Sequence, residues 1–288
     1  MVNVRTSILR TLIYSDIFDY PLKKEEIWKF LISEKNIKRQ EFEKELPNFL
    51  GAKLVHPGGG DFYCLSGREA IINTRIKRLK ESREKIKAAG KIVRYLSFIP
   101  TVLFIGISGG LALENADEKD DIDLFIITSK GNLWITRLIL VFLLILMGQY
   151  RGRGKKKSKK VCLNMLIDEE SLELETTRQN LYTAHEIVQL KPLFNRENIY
   201  EKLVSSNKWL LKYLPNGIDR IKNQESRIKE IKHPLFIFER LAKIVQILYM
   251  KKHRTSEIIS DHFMAFHPFD YKDFVLKEYN KRLKRYGI

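Results

Sequence analysis

The sequence predicts an α/β (α+β) fold in which helices flank a mixed β-sheet. Three apolar runs, at residues 102–107, 122–127 and 161–167, are rich in aliphatic side chains and have the length of buried strands. The stretch 133–147 is apolar and has the length of a helix, and helical periodicity dominates the remaining chain. An order of strand, glycine turn, strand, helix and strand places a functional site at the strand ends.

Charge is the most unusual feature of the composition. The 288 residues carry a net charge of +17, with nine Lys or Arg over 75–94 and seven in the ten residues 151–160. Basic clusters of this kind indicate a polyanionic partner, either nucleic acid or nucleotide phosphates. A lysine-rich proteome would explain the net charge equally well, but it explains the run at 151–160 less readily.

Cysteine usage and hydropathy indicate a cytoplasmic protein without membrane association. Cys64 and Cys162 are far apart, and they form neither a disulfide framework nor a zinc pattern. Residues 133–147 include thirteen apolar side chains but are shorter than the roughly 20 residues of a bilayer helix, and Arg137 interrupts them. We expect this segment to form a buried helix packed on the sheet.

The N-terminal 68 residues predict a winged-helix-like domain. They contain three amphipathic helical segments and then two strand-like runs joined by a glycine-rich turn, at 5–18, 23–32, 39–50, 53–56 and 62–65. In a DNA-binding winged helix the third helix and the wing face the nucleic acid. Here the third segment is acid-rich and the wing tip carries Asp61 without Lys or Arg. A protein-contact module is therefore at least as well supported as DNA binding.

Two further regions are predicted to be helical. Residues 69–94 form a linker helix whose basic face points to solvent, where it can guide a polyanion. Residues 191–288 form a C-terminal helical region, because amphipathic patterns cover 171–214, 226–254 and 262–286.

A candidate metal and nucleotide site lies between the first two strands of the sheet. Asp121 and Asp123 share one face at the start of a strand, because side chains at i and i+2 project together. Two adjacent carboxylates repel unless a cation lies between them, and Mg²⁺ prefers carboxylate oxygens. Ser108, Gly109 and Gly110 offer backbone N–H groups to an anion. The stretch therefore predicts a site for a metal-bound nucleoside triphosphate.

These residues resemble a known family. Gly109-Gly110, ten intervening residues and Asp121-Ile122-Asp123-Leu124 resemble the signature of the DNA polymerase β-type nucleotidyltransferase superfamily, and SGGLALENA…DDIDLFIIT is similar to its minimal nucleotidyltransferase domains. The resemblance implies a nucleotidyltransferase core over 95–190 with a mixed sheet. It also implies transfer of a nucleoside monophosphate from an NTP to an acceptor hydroxyl, with Mg²⁺ (or Mn²⁺) bound. The alternative is an acidic turn between two core strands.

The family commonly has a third carboxylate on a later strand, and this sequence departs from that pattern. Asn164 occupies the middle of the third strand, and an amide cannot accept a proton as a general base. Asp168 at the strand end is a candidate substitute, which we count with Asp121 and Asp123 as catalytic, and Glu186 on the next helix is another. Their ordinary roles would be a turn cap for Asp168 and a solvated helix face for Glu186.

Two other functions stay open. The missing third carboxylate favours a catalytically silent, nucleotide-sensing regulator whose winged helix binds DNA. The resemblance to minimal nucleotidyltransferases, which often occur in toxin–antitoxin pairs, implies an antitoxin-like partner protein as a further alternative. For the enzyme, an antibiotic, a nucleic acid 3′ end and a protein side chain all remain as acceptors.

Overall fold

Three helices and a small sheet form the N-terminal region of the protein. A computed structural model of the whole chain describes residues 3–48, 52–55, 61–151, 159–218, 236–251, 258–266 and 270–288. The elements are α1 Val4–Asp16, β1 Leu22–Lys23, α2 Lys24–Lys29, α3 Arg39–Glu45, β2 Ala52–Val55 and β3 Asp61–Cys64. The strands are antiparallel in the order β1-β3-β2. The helices and strands predicted from the sequence are present here. Of the glycine-rich turn predicted at 57–61, residues 57–60 lie outside the described residues and Asp61 begins β3.

The predicted linker is a single long helix, α4 Ile71–Leu96. Its basic side chains do not all point to solvent as predicted, because Arg75 and Lys85 are buried. The expectation of a solvated basic face is therefore wrong for two of its cations.

A six-stranded mixed sheet follows α4 and confirms the predicted arrangement of a mixed sheet flanked by helices. The elements are β4 Val102–Ile107, α5 Gly109–Ala112, β5 Ile122–Thr128, α6 Leu133–Leu146, β6 Val161–Asp168, α7 Leu181–Val188, β7 Lys191–Asn195, α8 Ile199–Ser206, α9 Pro215–Ile218, α10 Phe236–Lys251, β8 Ile258–Ile259, β9 Phe263–Ala265 and α11 Asp270–Arg285. The strand order is β7-β4-β5-β6-β9-β8. Only β5 and β6 are parallel, and the other neighbours are antiparallel.

Three of these strands come from the region predicted to be helical throughout. β7 pairs with β4 at one edge, and β9 with β8 extends the other edge beyond β6. Pro192 in β7 is compatible with an edge strand, where one backbone donor can be absent. The prediction that 191–288 is helical throughout is therefore wrong, and this segment completes both edges of the sheet.

Apolar side chains cover both faces of the sheet. On one face, Phe104 and Ile127 belong to a cluster that also contains Ile8 and Leu12 of α1, so the N-terminal region and the sheet share a core. On the other face, buried strand residues pack against α4, α6 and α10. Each buried aliphatic or aromatic side chain contributes about 1.5–3 kcal/mol to folding.

Helix α6 is buried on one face only. Trp134, Leu140 and Leu144 are buried, whereas Phe142 and Leu146 are exposed. The expectation of a buried helix on the sheet is correct for half of its surface. None of the helices in the described ranges combines the length and the apolar composition needed to cross a bilayer.

Candidate functional site

The turn after β4 brings Gly109 against Asp123. The Ser108 N–H donates to the Asp123 carbonyl at 2.9 Å, which continues the β4 and β5 ladder by one more bond. Gly109 has a φ of +61°, and a Cβ placed there would lie 3.4 Å from Asp123 Oδ2. Glycine suits this left-handed position because it has no Cβ to strain. The predicted proximity of the glycine turn to the aspartate is present.

The two aspartates of the motif also lie together. One ligand atom each from Asp121, Asp123 and Cys162 lie within 4.8 Å of one another. Cys162 joins them because it is the register partner of Asp123 on the parallel strand β6. Burial raises the pKa of the Cys162 thiol, and the Asp123 and Asp121 carboxylates raise it further. The hard oxygen donors of this group are therefore the two aspartates, as a Mg²⁺ site requires.

One of the two aspartates is paired with a guanidinium, that of Arg151. Arg151 Nη1 donates to Asp121 Oδ2. Arg151 is the first residue of the basic run 151–160, of which 152–158 lie outside the described residues. The contact shows that the carboxylate pair attracts a cation, as adjacent negative charges do.

Ser108 differs from the prediction in how it can contact a phosphate. Its N–H is used in the bond to Asp123, so it is not a backbone donor to an anion. Its hydroxyl oxygen accepts from Asn164 Nδ2 at 3.0 Å and can still donate its own hydrogen. The N–H groups of Gly109 and Gly110 begin a helical turn, where backbone donors have no partner within the helix.

Asn164 of β6 contacts Ser108 at a point where the pairing of β6 with β5 is irregular. Leu124 and Phe125 pair with Leu163 and Met165, so Asn164 is the extra residue of a bulge. Its amide is nearly buried and holds the Ser108 hydroxyl. At this position the residue orients the turn and cannot act as a base.

Asp168 does not join the candidate site. It pairs with Thr128 at the far end of β5, six residues beyond the Cys162 level, which is about 20 Å along a strand. It is fully buried, its Oδ2 lies 2.7 Å from His262 Nδ1, and its Oδ1 accepts from the Glu170 N–H at 2.9 Å. The expectation that Asp168 substitutes for the third carboxylate is wrong in its geometry, and the alternative role as a turn cap describes the contact to Glu170.

Glu186, the other candidate, faces the same space as Asp123. A cavity of about 420 Å³, which we call the site cavity, is lined by Ser108, Gly109, Asp123 and Asn164 and also by Glu186 of α7. The Glu186 carboxylate accepts from Gln189 Nε2 at 2.7 Å. The site cavity thus has a second carboxylate, besides Asp123, in its lining.

Two other lining residues of the site cavity were not foreseen. Arg178 stacks its guanidinium over Phe263 at 3.6 Å, and burial lowers the pKa of Arg178. Tyr182 lies one helical turn before Glu186, and burial raises the pKa of its hydroxyl, with a further contribution from Glu186. The spacing of Tyr182 and Glu186 at i and i+4 was a usable sequence signal. Arg178 offered none, since it is one of 52 basic residues.

One face of α4 holds the loop 113–120, which joins the glycine turn to Asp121. Lys85 is fully buried, and its ammonium donates to the loop carbonyls of Asp117, of Glu118 at 3.1 Å and of Asp120 at 2.6 Å. Arg75 is also buried and donates to the Leu113 carbonyl at 2.7 Å. Arg75 and Lys85 of α4 therefore hold in place the loop that leads to Asp121.

Comparison of the chain with models of protein families, with curated proteins and with solved structures finds no match. Membership in the nucleotidyltransferase superfamily stays a prediction that rests on the motif residues.

Proposed function

We propose that the chain is a nucleotidyltransferase that transfers a nucleoside monophosphate from an NTP to an acceptor hydroxyl. The observation that carries this proposal is the close group of Asp121 and Asp123 beside the left-handed Gly109 turn, where Asp123 and Gly109 line a cavity of about 420 Å³. Carboxylate pairs beside a glycine turn match the needs of a metal-bound triphosphate.

The residues present fit a divalent cation. Asp121 and Asp123 would hold Mg²⁺ (or Mn²⁺), which neutralises negative charge on the phosphates when bound. Gly109 and Gly110 would donate their N–H groups to phosphate oxygens, and Ser108 would donate its hydroxyl hydrogen. Arg151, which contacts Asp121, would exchange that carboxylate for a phosphate oxygen.

The proton of the acceptor hydroxyl needs a base in the site cavity. Asn164 cannot serve, and Asp168 lies at the far end of the strands. Glu186 is a carboxylate that lines the site cavity together with Gly109 and Asp123, so we assign the proton to it.

The test is release of pyrophosphate and transfer of label from each α-³²P NTP in the presence of Mg²⁺ and a cell extract. We expect Asp121→Asn and Asp123→Asn to abolish transfer while the circular dichroism spectrum is unchanged. Glu118→Gln is the matched control, because Glu118 is exposed in the neighbouring loop. Transfer that persists in the double aspartate variant would refute the proposal.

A DNA-binding regulator is the second candidate. The three N-terminal helices and the β1-β3-β2 order support a winged helix. The charges of α3 argue against a phosphate surface, because Arg39 contacts both Glu25 and Glu43. A filter-binding assay with duplex DNA across a salt series tests this candidate. A steep loss of affinity with salt, without pyrophosphate release, would favour the regulator.

A further inference from the structure

Helices α4, α6 and α10 form one layer on the same face of the sheet. The chain just after α4 meets α6 through a contact of 2.6 Å between the hydroxyl groups of Thr101 and Thr136. Glu239 in the first turn of α10 accepts from the N–H groups of Trp134 and Ile135 at the start of α6, at 2.7 and 2.8 Å. The outward side of this layer, which we call the outer helix face, is formed by residues 87–98, 138–146 and 238–249.

The outer helix face exposes many large apolar side chains. On α6 and α10 eleven of them are between 37% and 73% exposed. They include two stripes at helical spacing, Leu138, Phe142 and Ile145 on α6 and Leu241, Ile244 and Leu248 on α10. Exposed apolar side chains normally occur singly, whereas a patch of this size on two neighbouring helices marks a surface that binds a protein or a membrane.

Cations line the outer helix face on the C-terminal half of α4. Lys87, Lys91 and Arg94 are exposed, and they have the same i, i+4, i+7 spacing as the apolar stripe of α6. Because an α-helix has about 3.6 residues per turn, these three side chains lie opposite Ala89 and Leu96, which are buried in the core. A basic stripe therefore lies in the same layer as the apolar patch and points away from the sheet.

Acidic side chains are nearly absent from this part of the sequence. Over residues 85–98, 133–147 and 238–250 there is one carboxylate, that of Glu239, and its two oxygens accept the N–H groups at the start of α6. Two copies of the chain that met through this face would bring cations against cations, at a net charge of +17 for each copy. An anionic surface complements the face instead.

We propose that the outer helix face docks the protein onto an anionic lipid bilayer. The exposed side chains of α6 and α10 enter the boundary between headgroups and acyl chains, about 5–10 Å deep, and the cations of α4 lie against anionic headgroups. The helices lie on the bilayer and do not cross it. This inference is independent of the proposed function, and it departs from the sequence-based expectation that the protein does not associate with membranes.

Docking in this orientation leaves the candidate site uncovered. The described residues that line the site cavity include none from α4, α6 or α10. Variants of the outer helix face therefore change membrane binding without touching the residues assigned to the nucleotide.

The first experiment is flotation of the full-length protein with vesicles of two compositions. One is phosphatidylcholine alone, and the other is phosphatidylcholine with about one third phosphatidylglycerol. We expect the protein to float with the anionic vesicles at about 0.1 M salt, and less so at about 0.5 M, because salt screens the cations. Binding to phosphatidylcholine alone should be weaker by about tenfold or more. Protein that stays in the soluble fraction with both compositions would overturn the inference.

Phe142→Gln/Leu248→Gln tests the apolar patch. Both side chains are more than half exposed, so the melting temperature should not fall. The concentration of anionic lipid for half-maximal binding should rise by about tenfold or more. Leu211→Gln/Phe274→Gln is the matched control, because these exposed side chains lie beside the core on the other face of the sheet. Equal binding by the two double variants would overturn the assignment of the patch.

Lys87→Gln/Lys91→Gln/Arg94→Gln tests the basic stripe. Each cation near an anionic surface changes affinity by about fivefold, so this triple variant should bind anionic vesicles about 100-fold more weakly. Its matched control removes three exposed lysines with the same spacing on α11, which packs on the other face of the sheet, in Lys277→Gln/Lys281→Gln/Lys284→Gln. Equal loss in both triple variants would mean that net charge alone matters, and it would overturn the docking face.

Two measurements on the same proteins test other occupants of the outer helix face. Analytical ultracentrifugation that finds a wild-type dimer, dissociated in Phe142→Gln/Leu248→Gln, would assign the face to a second copy and overturn the inference. Retention of a single-stranded RNA by the wild type but not by Lys87→Gln/Lys91→Gln/Arg94→Gln, without vesicle binding, would assign it to nucleic acid and overturn the inference as well. We expect a monomer without lipid and vesicle binding that persists when the RNA is added.

Discussion

Lys85→Met tests how the protein fixes the loop that leads to the aspartates. The Lys85 ammonium is fully buried and donates to three backbone carbonyls of loop 113–120. Methionine keeps most of the side-chain volume and removes every one of these donors. The substitution therefore separates the ammonium from the packing of α4.

The expected loss of stability in Lys85→Met can be worked from the hydrogen bonds of the ammonium. A hydrogen bond from a charged group contributes about 1.5–3 kcal/mol, so three such bonds give at most about 9 kcal/mol. Burial lowers the pKa of Lys85, against raising contributions from Asp120 and Asp117, which shows that desolvation offsets part of this gain. The loop carbonyls lie in a segment with exposed residues and regain water in the variant. We expect a loss of about 3 kcal/mol in the free energy of unfolding.

The assay is urea unfolding followed by circular dichroism at pH 7, together with a Mn²⁺ titration. Lys87→Met is the matched control, because Lys87 is exposed on the same helix. We expect Mn²⁺ to bind about tenfold more weakly to Lys85→Met, since groups that support a metal ligand affect affinity to this degree. Equal stability and equal Mn²⁺ affinity in the two variants would refute the role of Lys85.

Three further predictions follow from named contacts. Gly109→Ala should lower stability by about 1–2 kcal/mol because alanine is strained at a φ of +61°, whereas Gly110→Ala, where no positive φ is required, should be close to neutral in the same urea titration. Asp168→Asn should lower the free energy of unfolding by about 1–3 kcal/mol, because it weakens the buried contact with His262. Nucleotidyl transfer should stay intact. Loss of transfer at normal stability would contradict the placement of Asp168 outside the site. The hydrogen bond that His262 Nδ1 donates to the Asp168 carboxylate raises the pKa of His262. The stabilisation from this bond is therefore complete below the unfolded pKa of about 6.5 and is lost as pH rises through the higher folded value. Urea midpoints from pH 5.5 to 8.5 should therefore fall more in the wild type than in His262→Gln, and parallel curves would contradict this.

The local features of the candidate site could be predicted from the sequence. Alternation along a strand placed Asp121 and Asp123 on one face, and the glycine pair marked a turn that lies against Asp123. These features depend on residues close in sequence or on one hairpin-like pairing, so pattern reasoning reaches them.

The errors concern contacts between distant parts of the chain. β7 is only five residues long and includes Pro192, so its sequence has no clear strand pattern. Its pairing with β4 is what makes it a strand. Lys85 looked like one more solvated lysine, because its three carbonyl acceptors lie more than thirty residues away. The error on Asp168 was avoidable. Parallel strands bring their first residues together, whereas Asp121 and Asp123 lie at the start of β5 and Asp168 is the last residue of β6.

The central claim is that Asp121 and Asp123 together hold one divalent cation for a nucleotide. Titration of Mn²⁺ followed by electron paramagnetic resonance, with and without ATP, measures this directly. We predict one bound Mn²⁺ in the wild type, tighter binding with ATP, and loss of this site in Asp121→Asn/Asp123→Asn with Glu118→Gln unchanged. Equal Mn²⁺ binding by the wild type and the double aspartate variant would contradict the account.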